Sequence, residues 1–286
     1  MAYLTARTDE RNEMSKARHT NTELCIWCGE KIPQVSFSHD AHVVPRKLGG
    51  SEIGVDVCDD CNTYFGAFSN PQPAVDVALK EVLNTAFTLG KTLDRESYKK
   101  YKSAFFSYHH SQGVVILKKW VSEEFFTRQF KRGLFEIFLQ KYHKETLDGN
   151  NSIFDPVRQF ARYNKGNLSV YYLSSNVILR PKDKENLSII PMSKSLIEDM
   201  MKYGMFHLSL FGHNFFLEVF PEVSVLSKEY YLKEQEKLFS VLRYFGKVSI
   251  IKLNKITDMD FLMRRFHPDL RMEYKSGIKP IWRFIR

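Results

Sequence analysis

The chain has 286 residues, 43% hydrophobic and 26% charged, enough for one large or two ordinary globular domains with a sizeable core. Its formal charge of +9 is unevenly placed: residues 1–75 hold 7 Lys and Arg against 10 Asp and Glu, and the remainder hold 35 against 23. No apolar run approaches the roughly 18 residues of a membrane span, and the opening MAYLTARTDERNEM lacks the apolar core of a secretory signal, so no membrane contact and a cytoplasmic location are expected.

Residues 1–20 are polar, with alternating charges, and read as a tail or a short surface helix. Residues 21–73 then carry all four cysteines, Cys25, Cys28, Cys58 and Cys61, as two CxxC pairs. A chain without a secretion signal does not depend on disulfides, and a redox dithiol needs only one CxxC. Two knuckles point instead to a tetrahedral structural Zn²⁺ held by four thiolates. The segment is too small for a conventional core, so the metal acts as its staple. Between the knuckles lies SHDAHVVPRKLGG, which places His39, Asp40 and His42 together, and SNPQP at 69–73 reads as a boundary.

Residues 74–166 read as a helical region. VDVALKEVLNTAFTLG repeats its apolar residues near a 3.6 period, and the longest helix carries Phe126, Phe130, Leu134, Phe138 and Tyr142 at spacing four, widened by Phe135 and Ile137. LDGNN ends that helix, and FDPVRQFARYNKG at 154–166 follows as a shorter one. Residues 167–286 change period. LSVYYLSS, FHLSLFGHNFFLEVF and KVSIIKL read as strands, with a hairpin turn at Gly212-His213-Asn214. Two helices lie among them, one with a Ser195–Glu198 capping box and a stop at Gly204, the other at KEQEKLFSVLRYFG. The histidines outside the first module, including His109 and His110, read as surface residues.

In its order CIWCG, SHDAHVVPRKLGG, VCDDCNTYFG, the first module resembles the HNH endonuclease superfamily, in the zinc-stabilised branch with two CxxC knuckles, over about residues 25–66. The resemblance implies a ββα-metal, treble-clef-like fold, in which a hairpin carries a general base and a short helix a ligand to a catalytic divalent ion. On that match His42 is the base that deprotonates water, Asn62 is the helix ligand, and Mg²⁺ or Mn²⁺ is the ion. DNA is the implied partner, with RNA left open. The family places Asp, Glu or His just before the base, and here that position is Ala41. Asp40 and His39 are the nearest substitutes; in an extended strand Asp40 shares a face with His42 and His39 points away. The middle Asn of the family pattern is also missing, and Asp56 nearby takes no role from the pattern. Arg46 and Lys47 either contact a phosphate or are solvated loop charges, and Asn62 either binds the ion or caps its helix.

The expected fold is therefore α+β: a small zinc module, a helical segment, and an α+β C-terminal domain with antiparallel strands. The function that the resemblance implies is a metal-dependent endonuclease hydrolysing DNA phosphodiesters, in a restriction, antiviral-defence or mobile-element setting, with its basic remainder choosing a target or a partner. Residues 91–145 hold 12 Lys and Arg against 6 Asp and Glu, and the arginine–aromatic stretch at 261–286 holds 7 against 2, which suits a phosphate backbone or an ordinary solvated surface equally. Two rivals remain: a zinc-fold nucleic-acid-binding module inactivated by Ala41, and a sensor or scaffold. A homodimer or protein partner would engage residues 74–286.

Overall fold

The computed structural model describes residues 19–67, 73–91, 102–109, 114–175, 192–241 and 248–259. Its elements in chain order are α1 (Asp59–Gly66), α2 (Val75–Lys91), β1 (Phe106–His109), β2 (Val114–Leu117), α3 (Glu123–Thr146), α4 (Asp155–Ala161), β3 (Val170–Ser175), α5 (Lys194–Tyr203), β4 (Met205–Leu210), β5 (His213–Glu218), α6 (Val225–Val241) and β6 (Val248–Lys252). The architecture is α+β with antiparallel sheets. The N-terminal tail to residue 18, most of SNPQP and the arginine–aromatic stretch 261–286 lie outside the described residues.

Helix α3 is the axis of the structure. Ser122 caps its start by accepting from the Phe125 N–H, and Leu147 ends it in the left-handed conformation, its N–H returning to the His143 carbonyl. The phenylalanine stripe meets the four-stranded sheet β4-β5-β3-β6: Phe130 packs on Phe215 and Phe138 on Phe206, at ring separations of 5.8 and 4.7 Å. Burying a ring of this size contributes about 2–3 kcal/mol, so the stripe fixes which side of α3 faces the sheet. The strands alternate as a two-sided sheet must. Val170, Tyr172, Phe206, Leu208, Phe215 and Leu217 join the α3 core, while Leu173, Met205 and Phe216 pack with Tyr231 and Phe239 of α6 on the other face.

Helix α2 crosses α3 closely because Gly133 has no side chain. A Cβ there would lie 3.2 Å from the Leu79 Cβ and 3.4 Å from the Val75 Cγ1. The close crossing brings the start of α2 against both α3 and the cysteine module, whose buried residues share one continuous core with the helices and the sheet.

The structure corrects four readings of the sequence. Helix α5 is capped by Ser193, whose hydroxyl accepts from the Leu196 N–H, so the capping box assigned to Ser195 and Glu198 is displaced by two residues. The β4–β5 turn is Phe211-Gly212, both at positive φ, a turn whose twist suits a two-residue hairpin, and His213 and Asn214 already belong to β5. The region read as helical holds the hairpin β1–β2, in which Phe106 pairs with Leu117. Of the histidines read as surface residues, His143 and His213 are buried, and His207 stacks on Phe216.

Candidate metal and active-site centre

The first knuckle is a tight turn in which the Gly29 N–H donates to the Cys25 carbonyl, with Gly29 at positive φ. The second is the start of α1: Cys58 is its N-cap and Cys61 stands in its first turn, so both sulfurs sit at the positive end of the helix dipole, which favours thiolates. All four Sγ atoms lie within 4.8 Å of one another, and Cys28 and Cys58 are 3.8 Å apart. A tetrahedron with Zn–S bonds of about 2.3 Å has edges of ~3.8 Å, so the set fits a zinc ion. Backbone N–H groups of Trp27 and Cys58 point at the Cys25 sulfur, and Arg162 donates from Nε to Cys61 Sγ at 3.3 Å while stacking on Tyr64. These donors complement thiolate charge as outer partners of a metal site do. Among the described residues, no other group of three or more His, Cys, Asp or Glu atoms is clustered this way.

Asp56 locks the knuckle to the rest of the protein. It adopts φ +57, a left-handed conformation that Asp tolerates, and is fully buried. Its backbone carbonyl accepts from Ile26 N–H of the first knuckle. Oδ1 accepts from the Thr20 hydroxyl and from the N–H groups of Asn21 and Thr22 at 2.8 and 3.0 Å. Oδ2 faces His143 Nε2 at 2.8 Å. The Gly149 N–H donates to His143 Nδ1, so the ring proton is on Nε2 and is donated to Asp56. Burial opposes the charge on Asp56, but these donors, His143 foremost, hold its pKa well below the usual carboxylate range.

Between the knuckles the chain makes a minimal hairpin. His42 bridges Ile53, the Val43 N–H donates to the Glu52 carbonyl, and the Gly54 N–H donates to that of Ala41. The Gly-Gly that follows has a steric reason. Gly49 closes the short 3-10 turn Arg46–Leu48 at φ 93, and a Cβ on Gly50 would fall 1.9 Å from the Val44 carbonyl oxygen.

His42 and Asn62 open onto one cavity of about 260 Å³. Asn62 does not cap α1; it lies inside the helix, and its Nδ2 donates to the Asp40 carbonyl at 3.3 Å. That orientation leaves Oδ1, the atom a hard cation prefers, as the other end of the amide. Arg46 and Lys47 are exposed on the cavity wall, and Lys80 of α2 joins them. Ala41 turns its methyl into the core. Asp40 lines the cavity, but its carboxylate pairs with His19 Nε2 at 2.9 Å. His39 points elsewhere: its ring is 76% exposed and meets Asp59, which also accepts from the Ser38 and His39 N–H groups.

Two acidic residues complete the wall, and neither was singled out from the sequence: Asp76 on α2 and Glu136 on α3. Burial pushes the Asp76 carboxyl up to about 6. Burial, and then the neighbouring Asp76 charge, push Glu136 well above the ordinary range. The available signal was a second period on α3. Gln129, Arg132, Glu136, Gln140 and His143 are all buried polar residues spaced three or four apart, opposite the phenylalanine stripe. Through them α3 grips the cysteine module: Arg132 bonds the Tyr64 hydroxyl at 2.6 Å, and His143 bonds Asp56.

Neither the curated proteins nor the solved structures compared with the chain gave a match. Residues 25–73, which hold the four cysteines, His42 and Asn62, match the family described as HNH endonuclease, and this likeness, confined to that segment, points to a nuclease in general.

Proposed function

We propose that the protein is a metal-dependent endonuclease that hydrolyses phosphodiester bonds in DNA, with His42 as its general base. The observation that carries this reading is the shared cavity, where the His42 imidazole, the Asn62 amide and the cations Arg46, Lys47 and Lys80 converge. Zn²⁺ on Cys25, Cys28, Cys58 and Cys61 holds the two walls in register and takes no part in the reaction. A catalytic Mg²⁺ or Mn²⁺, held in part by Asn62, supplies charge stabilisation for the phosphate and the departing oxygen.

The chain's own residues account for the other steps. His42 accepts a proton from water as the water oxygen attacks phosphorus. The bond from phosphorus to the 3′ oxygen breaks, leaving a 5′-phosphate and a 3′-hydroxyl whose proton comes from solvent. Arg46 and Lys47 hold the backbone by charge without reading bases. The basic surface beyond residue 75 strengthens the grip in a salt-dependent way. Incubation of zinc-loaded protein with supercoiled plasmid, single-stranded DNA or RNA, in Mg²⁺, Mn²⁺ or EDTA, tests this reading. Plasmid nicking that EDTA abolishes is expected; intact substrates under every condition would refute it.

A second reading has one observation in its favour. The position before the base is a buried methyl, as in a module that kept its zinc fold and lost its chemistry. Such a protein would bind DNA and cut nothing.

A further inference from the structure

We propose that Asp76 and Glu136, two carboxylates outside the family-like segment, hold the divalent ion together with Asn62 and so replace the ligand missing at position 41. The inference rests on the nuclease reading above and specifies its metal site.

Position argues first. Asp76 and Glu136 line the same cavity as His42 and Asn62. Gly66 stands one helical turn beyond Asn62 on the same face of α1, and a Cβ there would lie 3.7 Å from Asp76 Oδ2. Glu136 is tied to the other wall. Its Oε1 accepts from Gln140 Nε2 at 3.1 Å, and the Gln140 side chain lies against Gly54, which pairs with Ala41. The two carboxyls therefore belong to the helix-side wall of the cavity that His42 and Asn62 also line.

The chemistry of the pair argues second. Glu136 is only 6% exposed, and its buried Oε2 accepts from no N–H or O–H group among the described residues. The two carboxyls lie within hydrogen-bonding reach of each other. Among the described residues, no lysine or arginine forms an ion pair with either. Arg132, the nearest cation along α3, is committed to the Ala161 carbonyl, Gln129 and Tyr64. A carboxylate as buried as Glu136, beside a second carboxyl on the half-buried Asp76 and without a cation, is costly unless the two share a proton or bind a metal. Mg²⁺ and Mn²⁺ sites are commonly built from one or two carboxylates, with the remaining positions left to water and phosphate. Two carboxylates and an amide oxygen meet that requirement. Asp40, held by His19 at the solvent edge, is not needed.

The test is Mn²⁺ binding to the full-length, zinc-loaded protein without DNA, read by electron paramagnetic resonance. The variants are Asp76→Asn, Glu136→Gln, Asp40→Asn and His42→Ala, each checked for zinc content and for thermal unfolding. One Mn²⁺ per wild-type chain is expected. Asp76→Asn and Glu136→Gln should each weaken it by more than about tenfold, since even outer partners of a metal site cost that much. Asp40→Asn and His42→Ala should bind as wild type does. Unaltered binding in both Asp76→Asn and Glu136→Gln, loss in Asp40→Asn, or no binding by wild type would overturn the proposal. Binding that follows Asp76 and Glu136 in a protein that cuts no nucleic acid would sink the nuclease reading and leave this site standing. Cleavage that survives both substitutions would do the reverse.

Discussion

Asp56→Asn isolates one hydrogen bond at the joint between the knuckle and α3. Asn tolerates the left-handed backbone at φ +57 as well as Asp does, so the substitution adds no backbone strain. The Asn oxygen can keep the three donors now on Oδ1, from Thr20, Asn21 and Thr22. The new NH₂ then faces His143 Nε2–H, donor against donor, with both residues fully buried. Moving the ring proton to Nδ1 only transfers the conflict to the Gly149 N–H. Every arrangement leaves one buried donor unsatisfied, a cost of about 1–3 kcal/mol, and the loss of charge on the remaining bonds places the expected value near the upper end. Urea unfolding of the zinc-loaded protein should show a lower midpoint at unchanged slope. In a double-mutant cycle with His143→Ala, the two changes should be non-additive by more than about 1 kcal/mol. An Asp56→Asn protein within about 0.5 kcal/mol of wild type, or strict additivity, would refute the reasoning.

Other consequences are open to equally direct checks. Gly50→Ala places its methyl on the Val44 carbonyl, so the hairpin must shift; a loss above about 2 kcal/mol is expected in thermal unfolding, and an unchanged midpoint would contradict the close approach. Arg162→Ala removes the Nε donor to Cys61 and should speed zinc transfer to a chromogenic chelator by about tenfold or more; an unchanged rate would show that this donor does not hold the metal. His207, packed among Phe216, Phe239 and Asn214, has its pKa lowered to about 4 by burial. The unfolded chain then binds a proton that the folded one refuses, so stability falls as pH drops from about 6.5 to about 4, by up to about 3 kcal/mol. His207→Phe should flatten that part of the acid profile, and an identical profile would mean that other groups set it.

How much of this was legible in the sequence depended on how local the constraint was. The cysteine knuckles could be read because metal chemistry fixes residue type and spacing together. The Gly-Gly could be read as part of a pattern, but its cause, the Val44 carbonyl lying where a Cβ would go, is a contact made only by folding. The phenylalanine stripe of α3 announced a buried helix, and its regularity hid the polar stripe on the opposite face. Glu136 was invisible for that reason. A charged residue on a helix is ordinarily solvated, and only the arrival of α2 and the cysteine module turns this one into a buried wall of the His42 cavity. Asp76 stands in the first turn of α2, where an acidic residue among apolar repeats reads as ordinary helix-start charge. The displaced cap at Ser193 and the Phe211-Gly212 turn are errors of one or two residues, where several polar or small residues adjoin and tertiary packing chooses among them.

The central claim is that His42 removes a proton in phosphodiester hydrolysis, and the most direct measurement compares wild type with His42→Ala on supercoiled plasmid in Mg²⁺. Both proteins should carry one zinc and bind the DNA equally at matched salt. The account predicts nicking by wild type and a loss of about 10²-fold or more in His42→Ala. Equal cutting by the two proteins would contradict it.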